Sequence, residues 1–127
     1  MEELAEKISN SELEIMNVLW DAGRPLSVTE IRQALQKRLS WEATTVKTMV
    51  SRLHAKGVLA QTKKDVFYYS PCISRDFYNR HATEGIIDRL YHGSVRNLVA
   101  ALVQSNGLSE EDLEELRAMF RVEGSHE

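Results

Sequence analysis

Glu42-Ala43-Thr44-Thr45-Val46-Lys47-Thr48-Met49-Val50-Ser51-Arg52-Leu53-His54-Ala55-Lys56-Gly57 is the stretch on which the fold turns. Val46, Met49, Val50 and Leu53 fall at i, i+3, i+4 and i+7, the spacing that gives a helix one apolar face. Opposite them Thr44, Thr45, Lys47, Thr48, Ser51 and Arg52 share a slim polar side. The pattern predicts a helix over about 42–56, with Ser40 or Trp41 as its cap, Glu42 favouring the positive helix end, and Gly57 as the left-handed stop.

Before this stretch, two helix starts are written as a capping box with a hydrophobic staple, which pairs otherwise orphaned amides. Ile8-Ser9-x-x-Glu12-Leu13 opens a helix over about Asn10 to Ala22, with Leu13, Met16, Leu19 and Trp20 on one stripe and Gly23 and Pro25 at its end. Leu26-Ser27-x-x-Glu30-Ile31 opens a second, over about Val28 to Leu39, expected to bury Ile31, Ala34 and Leu35.

After Gly57 the period changes to alternation: Val58 to Thr62, then Lys63-Lys64-Asp65, then Val66 to Ser70 before Pro71. That reads as a hairpin with a charged tip. Ser74 can cap a further helix carrying Phe77, His81, Ile87, Leu90 and Tyr91, and Ser94 another with Val95, Leu98, Val99, Leu102 and Val103. A third capping box, Leu108-Ser109-x-x-Asp112-Leu113, opens a last helix with Leu113, Leu116, Met119 and Phe120 on its apolar side.

The chain of 127 residues, 43% hydrophobic, suffices for one small domain and a helical appendage. Its net charge of -3 hides an uneven distribution. Arg32 to Lys64 holds eight cations (Arg32, Lys37, Arg38, Lys47, Arg52, Lys56, Lys63 and Lys64) against the single acid Glu42, a local +7 suited to a polyanion. From Asp76 onward the balance is -5. The opening residues Met1 to Lys7 carry three glutamates and no apolar run, and no later run reaches membrane-spanning length, so a cytoplasmic location is expected. Cys72 is the one cysteine and reads as a reduced packing or surface thiol.

Three short helices followed by a two-stranded hairpin is the winged helix-turn-helix order, in which the third helix enters the DNA major groove. The expected fold class is therefore mainly α with a small β-hairpin wing. Residues 1–73 are expected to form the DNA-binding domain and 74–127, where composition turns acidic, a separate helical region. On the third helix, Arg52 or Lys47 can bond guanine edges, threonine methyls can pack on thymine, and the hydroxyls can meet phosphates or bases. Lys63 and Lys64 at the hairpin tip can pair phosphates, or can serve to keep the strands from pairing with other molecules.

Other uses of such a fold stay open on residues alone. A winged-helix regulator can be controlled by a directly bound effector, although nothing in the sequence nominates one. A winged helix can also serve protein contact only, and the +7 segment counts against that. An enzyme is not expected: there is no Gly-rich phosphate loop, Cys72 has no assigned histidine partner, and no catalytic residue or cofactor is nominated. His54, His81, His92 and His126 are scattered rather than spaced as ligands, so no metal site is expected.

Ile15-Met16-Asn17-Val18-Leu19-Trp20, the run Thr45 to Leu53, Lys56-Gly57 and Phe67-Tyr68-Tyr69-Ser70-Pro71 resemble the BlaI/MecI/CopY family of bacterial winged-helix repressors. The resemblance continues through Leu90-Tyr91-His92-Gly93 and Leu108-Ser109-x-x-Asp112-Leu113-Glu114-Glu115-Leu116. It implies a homodimer on a dyad-symmetric operator that represses genes such as those for β-lactam resistance or copper handling. The dimerisation surface would draw on Leu90, Tyr91, Val95, Leu98, Val99, Leu102, Leu113, Leu116 and Phe120, although the same apolar faces can also form an internal core. Roughly 50 residues make too little core to fold alone, which favours packing between subunits.

Two family features are missing. Members that answer to β-lactams are cleaved at an Asn-Phe bond, where this chain has Ala101-Leu102, so a regulatory protease is an implied partner without its cleavage pair. Copper-responsive members carry Cys-x-Cys pairs near the C-terminus, and no cysteine follows Cys72 here.

Overall fold

The computed structural model describes residues 2–105 and 107–124, the side chains of 120–124 excepted. It divides into two compact units, Met1–Thr83 and Glu84–Glu127.

The first unit opens with α1 (Glu2–Glu6), for which the sequence offered no cap or stripe. Its order comes from tertiary packing: Ala5 is buried and Leu4 lies against the core. In α2 (Asn10–Ala22) the capping box forms as expected, with the Glu12 amide donating to Ser9 Oγ at 3.2 Å and the Ser9 amide to Glu12 Oε1 at 2.9 Å. Gly23, at φ 66°, closes it in the left-handed region that only glycine enters without strain. The second box forms likewise between Ser27 and Glu30 and opens α3 (Val28–Leu35).

α3 stops four residues short of the expected end. The Leu35 carbonyl takes both the Arg38 and Leu39 amides, at 2.9 and 2.7 Å, and the Arg32 guanidinium donates to the Trp41 carbonyl at 3.2 Å, drawing the chain toward the next helix. Ile31 and Leu35 are buried, but Ala34 is exposed, since it lies about 60° round the helix from Ile31 on the margin of the stripe.

The third predicted helix is α4 (Ala43–Ala55), with Val46, Val50 and Leu53 fully buried and Met49 half-buried. Together with Ile15, Met16, Leu19, Ile31, Leu35, Val58, Leu59 and Ile73 they form the core. Each such side chain, fully buried, stabilises by about 1.5–3 kcal/mol. Gly57, at φ 85°, turns the chain out of α4.

The hairpin pairs β1 (Leu59–Lys63) antiparallel with β2 (Phe67–Pro71), in a register running from Leu59 opposite Pro71 to Lys63 opposite Phe67. Residues Leu59 and Tyr69 face the core, while the distal end is exposed. Beyond the predicted hairpin, Leu26 pairs with Tyr69 through two backbone bonds of 3.0 and 2.8 Å, tying the wing to the α2–α3 connection.

α5 (Arg75–Tyr91) starts at the Ser74 cap, whose Oγ accepts the Phe77 amide at 3.1 Å. Its first turns belong to the first unit. Trp20 Nε1 donates to the Ile73 carbonyl at 2.9 Å, the Trp20 and Tyr78 rings lie 5.7 Å apart, and Arg75 pairs with Asp21 at 2.7 Å over the Trp20 ring. The compact unit runs to Thr83, with aromatic packing continuing past the point where composition turns acidic.

Within the second unit, α5 ends at His92 and Gly93, both at positive φ. Ser94 caps α6 (Val95–Gln104), and the third capping box, Ser109 with Asp112, opens α7 (Glu110–Gly124). Among the described residues of this unit none is buried.

Candidate nucleic-acid interface

α4 divides cleanly between core and solvent. With its apolar side buried, Thr44, Lys47, Thr48, Ser51 and Arg52 are exposed and Thr45 is half-buried, so the six residues predicted for the polar side are brought together on one surface. Thr44, Thr45, Thr48, Met49 and Arg52 line a shallow depression there. The Thr48 hydroxyl donates to the Thr44 carbonyl at 2.8 Å. Its proton is therefore used within the helix, leaving a methyl group and lone pairs to face outward. Glu42, the residue before the helix, makes no side-chain bond to the first-turn amides.

The eight cations of the basic segment are not equivalent. Lys56 is ion-paired with Glu12 and Arg38 with Glu14, and Arg32 is held by the Trp41 carbonyl. Among the described residues Lys37, Lys47, Arg52, Lys63 and Lys64 enter no ion pair. The +7 of the sequence overstates the charge available to a polyanion, since long-range pairing is invisible to a local count. Burial opposes the charge on Glu12, but bonds from Lys56 and Ser9 outweigh it and hold the carboxyl below the ordinary glutamate range.

Lys63 and Lys64 lie at the exposed end of the wing. Lys63 Nζ sits 5.6 Å from the Phe67 ring centroid and Lys64 Nζ 5.9 Å from that of Tyr68, so each ammonium head lies over an aromatic ring of the facing strand. The Val66 amide, and then the Tyr68 hydroxyl, hold the Asp65 carboxyl below its ordinary value and keep one negative charge between the lysines and the strand.

In the second unit Leu90, Val95 and Leu102 are exposed, and Tyr91, Leu98, Val99, Leu113 and Leu116 half-buried. The side chain of Phe120 lies outside the described residues, as does His126. No helix among the described residues is long and apolar enough to cross a membrane.

A winged-helix scaffold that buries one side of its third core helix, and exposes small hydroxyls and cations on the other, defines a DNA-binding protein of the helix-turn-helix class. The chain belongs to the penicillinase repressor family, whose defining pattern matches residues 8–121. It is 32% identical over 111 residues to the penicillinase repressor of Bacillus licheniformis, covering 87% of this chain and 86% of the relative. Its identity to the methicillin resistance regulatory protein MecI of Staphylococcus aureus is 28% over 118 residues, 92% of this chain and 95% of that one. The solution structure of the DNA-binding domain of the repressor BlaI superposes with a TM-score of 0.50 at 37% identity, over 54% of this chain and 84% of that domain.

Proposed function

We propose that the chain represses transcription as a homodimer on a dyad-symmetric operator, with α4 of each protomer in the major groove and the β1–β2 wing on the adjacent backbone. The observation that carries the reading is the α4 surface: Lys47 and Arg52, which enter no ion pair among the described residues, flank Thr44, Thr48 and Ser51, which are slim enough for close backbone approach. Arg52 and Lys47 reach guanine edges, threonine methyls meet thymine, and Lys63 and Lys64 pair phosphates.

A second copy of this chain fits the apolar residues left open in the C-terminal unit, Leu90, Val95 and Leu102 among them. Two linked winged helices read two half-sites at once, and the second contact gains from effective concentration. The protein acts in this reading without catalysis or cofactor, in the cytoplasm. No protease is assigned to it: the pair at the family's cleavage position, Ala101-Leu102, lies inside α6.

The test is a binding isotherm on the DNA upstream of its own gene against a scrambled duplex, at two salt concentrations, with sedimentation reporting stoichiometry. Tight, selective, salt-sensitive binding of two chains per site is expected. Binding without selectivity or salt dependence would replace this reading with one of protein contact.

A further inference from the structure

We propose that Lys56 and Glu12 are positioning residues for DNA reading, whose contact, shared with the Lys7 carbonyl, fixes the end of α4 and the turn into the wing against the start of α2. The proposal rests on α4 as the reading helix.

By sequence Lys56 is one more cation in a basic segment. In the structure its Nζ lies 2.6 and 2.8 Å from the two carboxylate oxygens of Glu12 and 2.8 Å from the Lys7 carbonyl. An ammonium group has three protons to donate. All three are engaged, so Lys56 has none left for a phosphate.

Its partner is equally constrained. Glu12 is 3% exposed, and its Oε1 also accepts the Ser9 amide that completes the capping box of α2. The ammonium is therefore bound to a carboxylate that cannot swing without opening a helix start. Glu12 is buried and Lys56 only partly so, and departure of the ammonium would leave a buried, unpaired carboxylate.

What this geometry controls is the junction between the two parts expected to touch DNA. The Lys56 amide closes α4 on the Arg52 carbonyl at 3.0 Å, the Gly57 amide bonds His54 O at 3.0 Å, and the Val58 amide bonds Leu53 O at 2.9 Å. A Cβ added to Gly57 would lie 3.7 Å from Leu4 of α1. Apolar packing on Val50 and Leu53 sets the depth of α4 but allows it to slide, whereas three directed bonds at its end do not. A reading site needs its side chains held within about 0.5 Å, which such a shell supplies.

The experiment compares operator and scrambled-DNA affinities of the full-length Lys56→Met, Glu12→Gln, double, Arg52→Ala and Lys64→Ala variants across a salt series. Each is studied well below its melting midpoint, with the folded fraction checked by circular dichroism. Glu12→Gln keeps the capping-box oxygen and the side-chain volume and so guards against simple unfolding. Lys56→Met and Glu12→Gln should each weaken operator binding about tenfold, as the loss of one well-placed base contact does, and weaken scrambled-DNA binding less. The double variant should be no worse than either single one. The slope of log K against log salt should stay at the parent value, whereas Lys64→Ala should lower it by about one.

A slope lowered by about one in Lys56→Met would make Lys56 a phosphate contact and overturn the proposal. Unchanged affinity and preference in folded Glu12→Gln and Lys56→Met would overturn it too, and if Arg52→Ala had lost preference the α4 reading would survive alone. Preference intact in all three would remove the α4 reading and the clamp with it.

Discussion

The two units are built from similar materials and reach different ends. The winged-helix unit buries Ile15, Met16, Val46, Val50 and Val58 completely, while α6, with Val95, Leu98, Val99, Leu102 and Val103 at comparable spacing, buries nothing. Helix starts in both are set by local signals at Ser9, Ser27 and Ser109, where all three serine capping boxes form. The difference lies in what each apolar stripe meets: α2, α3, α4 and the hairpin converge on one another, whereas Leu90, Val95 and Leu102 remain 65%, 48% and 42% exposed. Amphipathic helices are thus a local property and a core is a collective one.

The largest effect that separates the units is in the core. Leu53→Ala should cost about 2–5 kcal/mol of unfolding free energy, read by chemical denaturation. A cost below about 1 kcal/mol would contradict the complete burial of that side chain. Next comes Leu102→Asp, which should leave the melting of the winged-helix unit unchanged yet weaken self-association by about 2–3 kcal/mol, seen in sedimentation as monomers. An intact dimer would move the interface off this face of α6.

A smaller effect concerns the wing. Lys64→Ala should lower affinity equally on all sequences, with the salt slope reduced by about one. An unchanged slope would return Lys64 to the role of protecting a strand edge.

The smallest effect is that of acid, and it should fall on the first unit. Glu12 titrates below the ordinary 4.5, so its contribution is complete above that value and is lost as pH falls through the lower, folded-state one. Melting midpoints followed from neutral to about pH 3 should therefore fall more steeply for the parent than for Glu12→Gln. Parallel curves would show that the Glu12–Lys56 contact adds nothing to stability.

Much of the first unit was legible because its signals are short-range. The Ser9 and Ser27 boxes, the Val46–Leu53 stripe and the turn at Gly57 each lie within a few residues, and so does the polar side of α4 with its threonines, Lys47 and Arg52. α1 was not legible, because five residues cannot stabilise a helix alone and Leu4 and Ala5 gain order only from the core they touch. The fate of the cations was hidden for the same reason. Lys56 and Glu12 stand 44 residues apart and Arg38 and Glu14 24 apart, so charge within a window cannot reveal which cations are taken. The Leu26–Tyr69 pairing is likewise long-range, and its lone residue on the first side carries no strand pattern.

That pairing bears on time as well as shape. A hairpin joined to the body only through its base would sample many orientations and would lose that freedom on meeting a duplex. With the Leu26 and Tyr69 amides each bonded to the other residue's carbonyl, the wing is anchored halfway along β2 and has little orientational freedom left to lose on binding. Those two amide protons should be among the last in the molecule to exchange with heavy water, leaving only when the whole unit opens.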